Sequence, residues 1–336
     1  MTQRPEPLSL IALTGFLGAG KTTLINAWVK DEAFSDTVVI INEFGEIAID
    51  HQLVETATDD MVLLPSGCVC CMVRGDLSSA LVDLLRRRDN QRIAPFRRVI
   101  IETTGLADPG PVVGAVMRHP YLSLRFPDIA VVTVVDAVNA GATLANSPEN
   151  VRQIAAADAI IVTKTDLLAD ESAHDALQAR LADINPLAAI LDAQRGQATA
   201  AQVLDAIAAA PRPAKRRLPP TDRESPPEAN HGVRSFTLTS EQPVRASQLD
   251  LFLELLQASR GEDLLRVKGL VQLDQEPERP LVIHVAQHVI HPPRLLDHWP
   301  DTDHSTRLVF IVRNIDPSFI ANLWDAFDGA GEIAQR

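Results

Sequence analysis

The chain has 336 residues, 46% of them hydrophobic and 22% charged, with a formal net charge of −13. That length suits two domains, and the acidic balance argues against a general nucleic-acid or anionic-membrane surface. No apolar run approaches the ~18 residues a membrane span needs, and with three cysteines in all and no export signature a disulfide framework is not expected, so the compartment reads as cytoplasmic.

Taken in order, the run 8–13 is short and apolar enough for a buried strand, and 23–29 has helical spacing. Between them stands Gly15-Phe-Leu-Gly-Ala-Gly-Lys21-Thr22, the G-x-x-x-x-G-K-[ST] phosphate loop. Gly15, Gly18, Ala19 and Gly20 would turn backbone N–H groups onto phosphate oxygens at a helix N-terminus. Lys21 would reach the β- and γ-phosphates, Thr22 would ligate Mg²⁺, and Thr23 follows in the same turn. A chance glycine turn or a secretory signal over 8–19 are the competing readings. The acidic Glu6 and the helix beginning at Lys21 oppose the signal.

Further on, 38–41 is a β-branched run broken by Asn42-Glu-Phe-Gly-Glu46, and 61–64 is an apolar run ended by Pro65-Ser-Gly67. The segment 75–88 is helical, with Leu77, Leu81, Leu84 and Leu85 in register and a basic last turn. Strands are expected at 99–101, 129–135 and 160–162, with helices at 149–157, 173–184 and 199–209. Short apolar strands alternating with helices predict an α/β fold with a largely parallel, doubly wound sheet over residues 1–210. Residues 211–231 hold six prolines and little apolar content, which reads as a linker. Strands at 233–238, 264–270, 281–285 and 308–312, with helices at 247–258 and 317–327, make 232–336 a smaller α+β domain.

Glu102 closes a strand and precedes Thr-Thr-Gly105, where a Mg²⁺-organising acid and a γ-phosphate-sensing glycine would stand. Thr163-Lys-Thr-Asp166 resembles the guanine motif N-K-x-D. The Asp166 carboxylate can accept both guanine N1–H and the exocyclic amine, which adenine does not offer in that arrangement, and the Lys164 stem can lie over the base. Thr163 departs from the usual Asn and lacks the amide that helps tie this loop to the base and the phosphate loop, so somewhat weaker discrimination for GTP is expected.

All three cysteines, Cys68, Cys70 and Cys71, fall within four residues. Thiolates suit Zn²⁺ or Co²⁺, and three of them offer three corners of a tetrahedron. Neighbouring strand residues face opposite ways, so convergence requires a loop, which Pro65 and Gly67 would supply. If 61–64 runs parallel to the first strand, metal and phosphates would share one sheet edge. A fourth ligand could be water, Glu43 or His119. A redox thiol pair or inert buried cysteines are the alternatives. His284, His288, His291, His298 and His304 crowd the later part of the chain, but His284 and His288 in one strand would lie roughly 13 Å apart, and packing or surface roles are expected.

Cys68-Val-Cys-Cys71 with Arg74-Gly-Asp-Leu77 resembles the C-x-C-C signature of the CobW-type GTPases. Asn42-Glu-Phe-Gly-Glu46, Glu102-Thr-Thr-Gly-Leu-Ala-Asp-Pro109, Val134-Val-Asp-Ala137 and Arg266-Val-Lys-Gly269 match the same family, and only the linker lacks a match. The resemblance implies a GTPase that handles Zn²⁺ or Co²⁺ and uses GTP to govern metal loading and release to a client metalloprotein. It also allows a homodimer. In that scheme Lys21 and Glu102 serve catalysis and Glu43 senses the nucleotide. A nucleotide-stabilised metal buffer, or a GTP-dependent assembly factor for a cobalamin or metalloenzyme client, are the other readings.

Overall fold

The computed structural model describes residues 6–42, 55–58, 61–63, 69–72, 76–208, 230–286 and 289–333. The linker at 211–229, Glu43 and Cys68 lie outside them. Two compact units emerge: Met1–Arg180 with Ala188–Ala209, and Leu181–Leu187 with Ala210–Arg336.

The first unit begins with β1 (Ser9–Gly15) and α1 (Lys21–Trp28), then β2 (Thr37–Asn42), β3 (Glu55–Thr58), β4 (Met61–Leu63) and β5 (Val69–Met72). Next come α2 (Leu77–Asp89), β6 (Arg98–Thr103), α3 (Gly110–Met117), α4 (Pro120–Arg125), β7 (Asp128–Asp136), α5 (Ala140–Asn146) and α6 (Pro148–Ala156). β8 (Ala159–Thr163), α7 (Glu171–Ile184), β9 (Ala189–Asp192) and α8 (Ala200–Ala208) follow, α7 crossing into the second unit at its end. The sheet order is β3-β4-β5-β2-β6-β1-β7-β8-β9. From β5 to β9 every neighbouring pair is parallel. Such strands are covered on both faces and so read as continuous apolar runs: β8 is buried at every position and β7 at every position after the first. Leu13, Ile25, Trp28, Phe34, Val132 and Ile161 are core residues on one such packed face. Helix α2 shows how local sequence sets a boundary. Its N-cap Asp76 accepts from the Ser78 and Ser79 N–H groups, Arg86–Arg88 complement its C-terminal dipole, and Leu81, Leu84 and Leu85 are buried.

Two expectations are corrected at the sheet's edge. Cys70 and Cys71 do not lie in a loop: both belong to β5, paired with Val39 and Ile40 of β2. β4 does not run with β1; it is antiparallel to β5, with Leu63 opposite Val69. The carboxyl end of β4 therefore points away from the phosphate-loop edge. The β-branched Val69 and the apolar Met72, at the ends of β5, suit a strand.

The second unit contains β10 (Val233–Ser240), α9 (Ala246–Arg260), β11 (Leu264–Val271), β12 (Leu281–Ala286), β13 (Val289–Ile290), β14 (Arg294–Leu295), β15 (Thr306–Arg313) and α10 (Pro317–Ile333). Its sheet runs β10-β15-β11-β12-β13, with β14 also on β12, and all pairs are antiparallel. Phe252 of α9 meets Phe310 and Trp324 edge-on, locking both helices' apolar faces against the strands. Gly269 is required at its position: a Cβ there would run into the Arg307 carbonyl on β15. His284 stacks on His291 with ring centroids 4.2 Å apart, a packing arrangement. β12 ends before residue 288, and His288 lies outside the described residues.

Candidate functional site: a phosphate loop braced by a guanine-type loop

The loop between β1 and α1 is bent by Gly15, Gly18 and Gly20, whose φ angles of 138°, 74° and 98° fall where side chains are strained. Gly15 has a second constraint, since a Cβ there would strike the Val134 carbonyl of β7. Gly20 caps α1, so the helix's first N–H groups face the loop. Lys21, 6% exposed, folds back and donates to the Gly15 carbonyl at 2.9 Å. Its ammonium is thus held inside the loop's curve. Thr23 stands on the exposed side of the same turn.

Glu102, 1% exposed, sits at the level of Leu13 on β1 and Ile41 on β2. The Thr22 hydroxyl donates to its Oε1 at 3.0 Å. A hydroxyl and an almost sealed carboxylate at a helix N-terminus are a donor set for a hard divalent cation, because a buried carboxylate needs positive charge near it. Gly105 packs directly on the phosphate loop: a Cβ there would lie 2.6 Å from the Leu17 nitrogen. The segment after β6 is thereby placed to feel the loop's conformation. Gln153 of α6 holds it there, donating to the Ala107 carbonyl at 2.9 Å and the Gly105 carbonyl at 3.3 Å.

On the other side stands the loop after β8. The Thr163 hydroxyl donates to the Ala19 carbonyl at 2.8 Å. A hydroxyl thus makes a link to the phosphate loop where an amide is lacking. Lys164 adopts φ 59° and donates both to the Gly18 carbonyl at 2.8 Å and to Asp136 at 2.6 Å. Asp166 then falls in an exposed 3-10 turn, Thr165–Leu167, available to a ligand edge.

Asp136 and Gln153 are the residues that sequence reasoning missed. Asp136 ends β7 and also accepts from the Val138 N–H at 2.9 Å and the Asn139 amide at 2.8 Å. Burial pushes its carboxyl up, but the hydrogen bonds from Lys164 and Asn139 outweigh this and hold it below the usual carboxylate range. It stays charged and pins Lys164. An acid closing a buried strand was visible in Val134-Val-Asp-Ala137; its lysine partner, far away in sequence, was not.

The cysteine strand is set apart from the loop. β5 lies three places from β1 in the sheet order, roughly 14 Å at ordinary strand spacing. The strands between them are β2 and β6, and Ile41 of β2 is level with both Met72 and Glu102. The nitrogen Nδ1 of His119, a proposed fourth metal ligand, accepts from the Leu122 N–H at 3.3 Å and caps α4.

Residues 9–192 match the CobW/HypB/UreG nucleotide-binding domain, and residues 233–328 match the cobalamin synthesis protein cobW C-terminal domain. The chain belongs to the CobW/HypB/UreG family. Its nucleotide-binding part is a P-loop fold. Among curated relatives, the Escherichia coli protein named zinc chaperone YjiA is 32% identical, covering 91% of this chain and 94% of that one. The Pseudomonas aeruginosa protein named zinc chaperone CobW is also 32% identical, covering 94% of this chain and 90% of the relative. The crystal structure described as the Zn(II)-bound YjiA GTPase from E. coli superposes with a TM-score of 0.74 at 28% identity, covering 96% of this chain and 99% of that one. Among the described residues of this CobW-family chain, no helix is long and apolar enough to cross a membrane.

Proposed function

We propose that this chain is a GTP-hydrolysing metallochaperone that takes Zn²⁺, or Co²⁺, as cargo through thiolates of the Cys68-Val-Cys-Cys71 segment and passes it to a client protein under control of the nucleotide. The observation that carries the reading is the ladder position of Ile41, level with Met72 on the cysteine strand and with Glu102 at the nucleotide site. The family's relatives named zinc chaperones, and one titled a Zn(II)-bound GTPase, support the same activity.

The geometry supports the following roles. Lys21 would neutralise the β- and γ-phosphates, drawn out of its contact with Gly15. Gly105 lies close enough to the loop for a γ-phosphate to displace it. Mg²⁺, held by Thr22 and Glu102, would neutralise charge on the phosphate oxygens. Asp166 would accept from guanine while Thr163 and Lys164 keep its turn fixed to the phosphate loop. Asp166→Asn is expected to abolish the preference for GTP over ATP in a competition assay, since an amide donates where the base's N1–H also donates. Retained preference would remove Asp166 from base recognition.

Glu43 follows directly on β2, so in this scheme a change at the nucleotide reaches β5 through β2, not by direct contact between thiolates and phosphates. Such control requires GTP and GDP states to differ in metal affinity. The test measures Zn²⁺ affinity with Mg²⁺ and either GDP or a non-hydrolysable GTP analogue. A shift of at least about five-fold, the lower end of ordinary coupling, is expected; equal affinities would leave a buffer. The Cys68/Cys70/Cys71→Ser variant should lose the nucleotide-sensitive component. Action in the cytoplasm, and as a homodimer, belongs to the same proposal.

A further inference from the structure

Away from both sites, helix α7 carries Glu171, His174 and Asp175 at i, i+3 and i+4, spacing that places three side chains on one face. One potential ligand atom from each lies within 4.8 Å of the others. Glu171 and Asp175 are exposed, whereas the His174 side chain is 6% exposed. The two ring nitrogens of His174 have different surroundings. Nε2 lies 3.1 Å from Oδ2 of Asp192, a residue itself 1% exposed. Nε2 also lies 3.3 Å from the Gln178 amide nitrogen, and in the tautomer that donates Nε2–H to Asp192, Nδ1 carries the lone pair. Nδ1 is buried and has no hydrogen-bond partner among the described residues. It points between the Oε1 of Glu171 at 3.9 Å and the Oδ1 of Asp175 at 3.8 Å, both beyond hydrogen-bonding reach.

In that tautomer the buried Nδ1 lone pair faces two carboxylates, and none of the three can donate to another. A divalent cation resolves all three at once. We propose that Glu171, His174 and Asp175 form a second divalent-cation site of the Zn²⁺ or Co²⁺ class, independent of the cysteines. Bonds of ~2.1 Å in a tetrahedron put ligand atoms about 3.4 Å apart, so the two exposed carboxylates need to close in only slightly. Asp192 acts from behind, fixing the imidazole tautomer as a carboxylate–histidine pair does in metal sites. Arg195 now holds Glu171, with Nη2 at 2.6 and 2.8 Å from its two oxygens. That guanidinium is nearly half exposed, and a surface ion pair of this kind gives way readily. Asp192 also accepts from the Thr165 hydroxyl at 2.8 Å, so the site's supporting carboxylate is shared with the turn that presents Asp166.

The test uses the full chain with Cys68, Cys70 and Cys71 replaced by serine, so that failure here and failure of the cysteine reading give different results. Zn²⁺ alone is titrated in competition with a chromophoric chelator. One equivalent is expected to remain bound without the cysteines. Glu171→Gln with Asp175→Asn, on exposed positions that carry no packing, should weaken that equivalent at least tenfold, and His174→Ala should abolish it. With Co²⁺ the site should give ligand-field absorption and no thiolate charge-transfer band. Absence of the remaining equivalent, or full retention of it in the Glu171→Gln/Asp175→Asn variant, overturns the proposal.

Discussion

Replacing Lys21 with alanine is expected to lower GTP turnover by about 10²–10³-fold, the scale on which removal of one preorganised charge or donor in a transition state is felt. The side chain is buried at 6% exposure and already gathered against the Gly15 carbonyl. Its charge is therefore confined to the curve of the loop where phosphate charge would be received. Truncation leaves the Gly15 carbonyl without this donor but keeps Leu24, Ile25 and Trp28 of α1's buried residues in place. The variant should thus fold normally, checked by thermal unfolding, while GTP binding measured by calorimetry is lost. Undiminished turnover would dismiss the loop as the place where phosphate is held.

Glu102→Gln is the second large effect. The amide keeps the shape of the side chain and an oxygen to accept from the Thr22 hydroxyl, now 3.0 Å away, but the negative charge is gone. A hard cation draws most of its affinity from such charge, so Mg²⁺-supported turnover should fall on the order of 10²-fold. Nucleotide binding in the absence of Mg²⁺ should change little. Removing a charge from a position 1% exposed relieves its desolvation, so stability should hold or rise. A variant that is stable, binds GTP and turns it over at the original rate would take the metal away from Glu102.

The parts of the fold that sequence made readable are those where several local signals agree. At Gly15–Thr22 an apolar strand, positive-φ glycines and a helical run all require one geometry, and β1, the loop and α1 followed. The strands of the second sheet were legible for the same reason, through runs such as Leu308–Val312 within β15. For Cys70 and Cys71 the local signals point the other way: Pro65 and Gly67 stand just before them in sequence, and convergence of thiolates suits a loop. Strand pairing with Val39 and Ile40, set by residues some thirty positions earlier, decided otherwise. The direction of β4 could not be read at all: a strand of three residues carries no mark of its orientation. At the site, Thr163 lacks the amide of the usual Asn, and sequence alone does not show what its hydroxyl meets. Its hydroxyl meets a carbonyl 144 positions away, and no single-sequence pattern reports that. His174 drew no attention beside the five histidines of the second domain, although its spacing from Glu171 and Asp175 was visible in the helix; what marks it out is burial.

β5 is laced on both flanks, to β2 by a parallel ladder and to β4 by an antiparallel one. A segment sewn along both seams behaves as a plank and not as a swinging arm. Cys70 and Cys71 cannot uncoil toward an acceptor without unpicking backbone hydrogen bonds on one side. Cargo would more readily leave by the docking protein coming to the plank's end than by the cysteines travelling out to meet it.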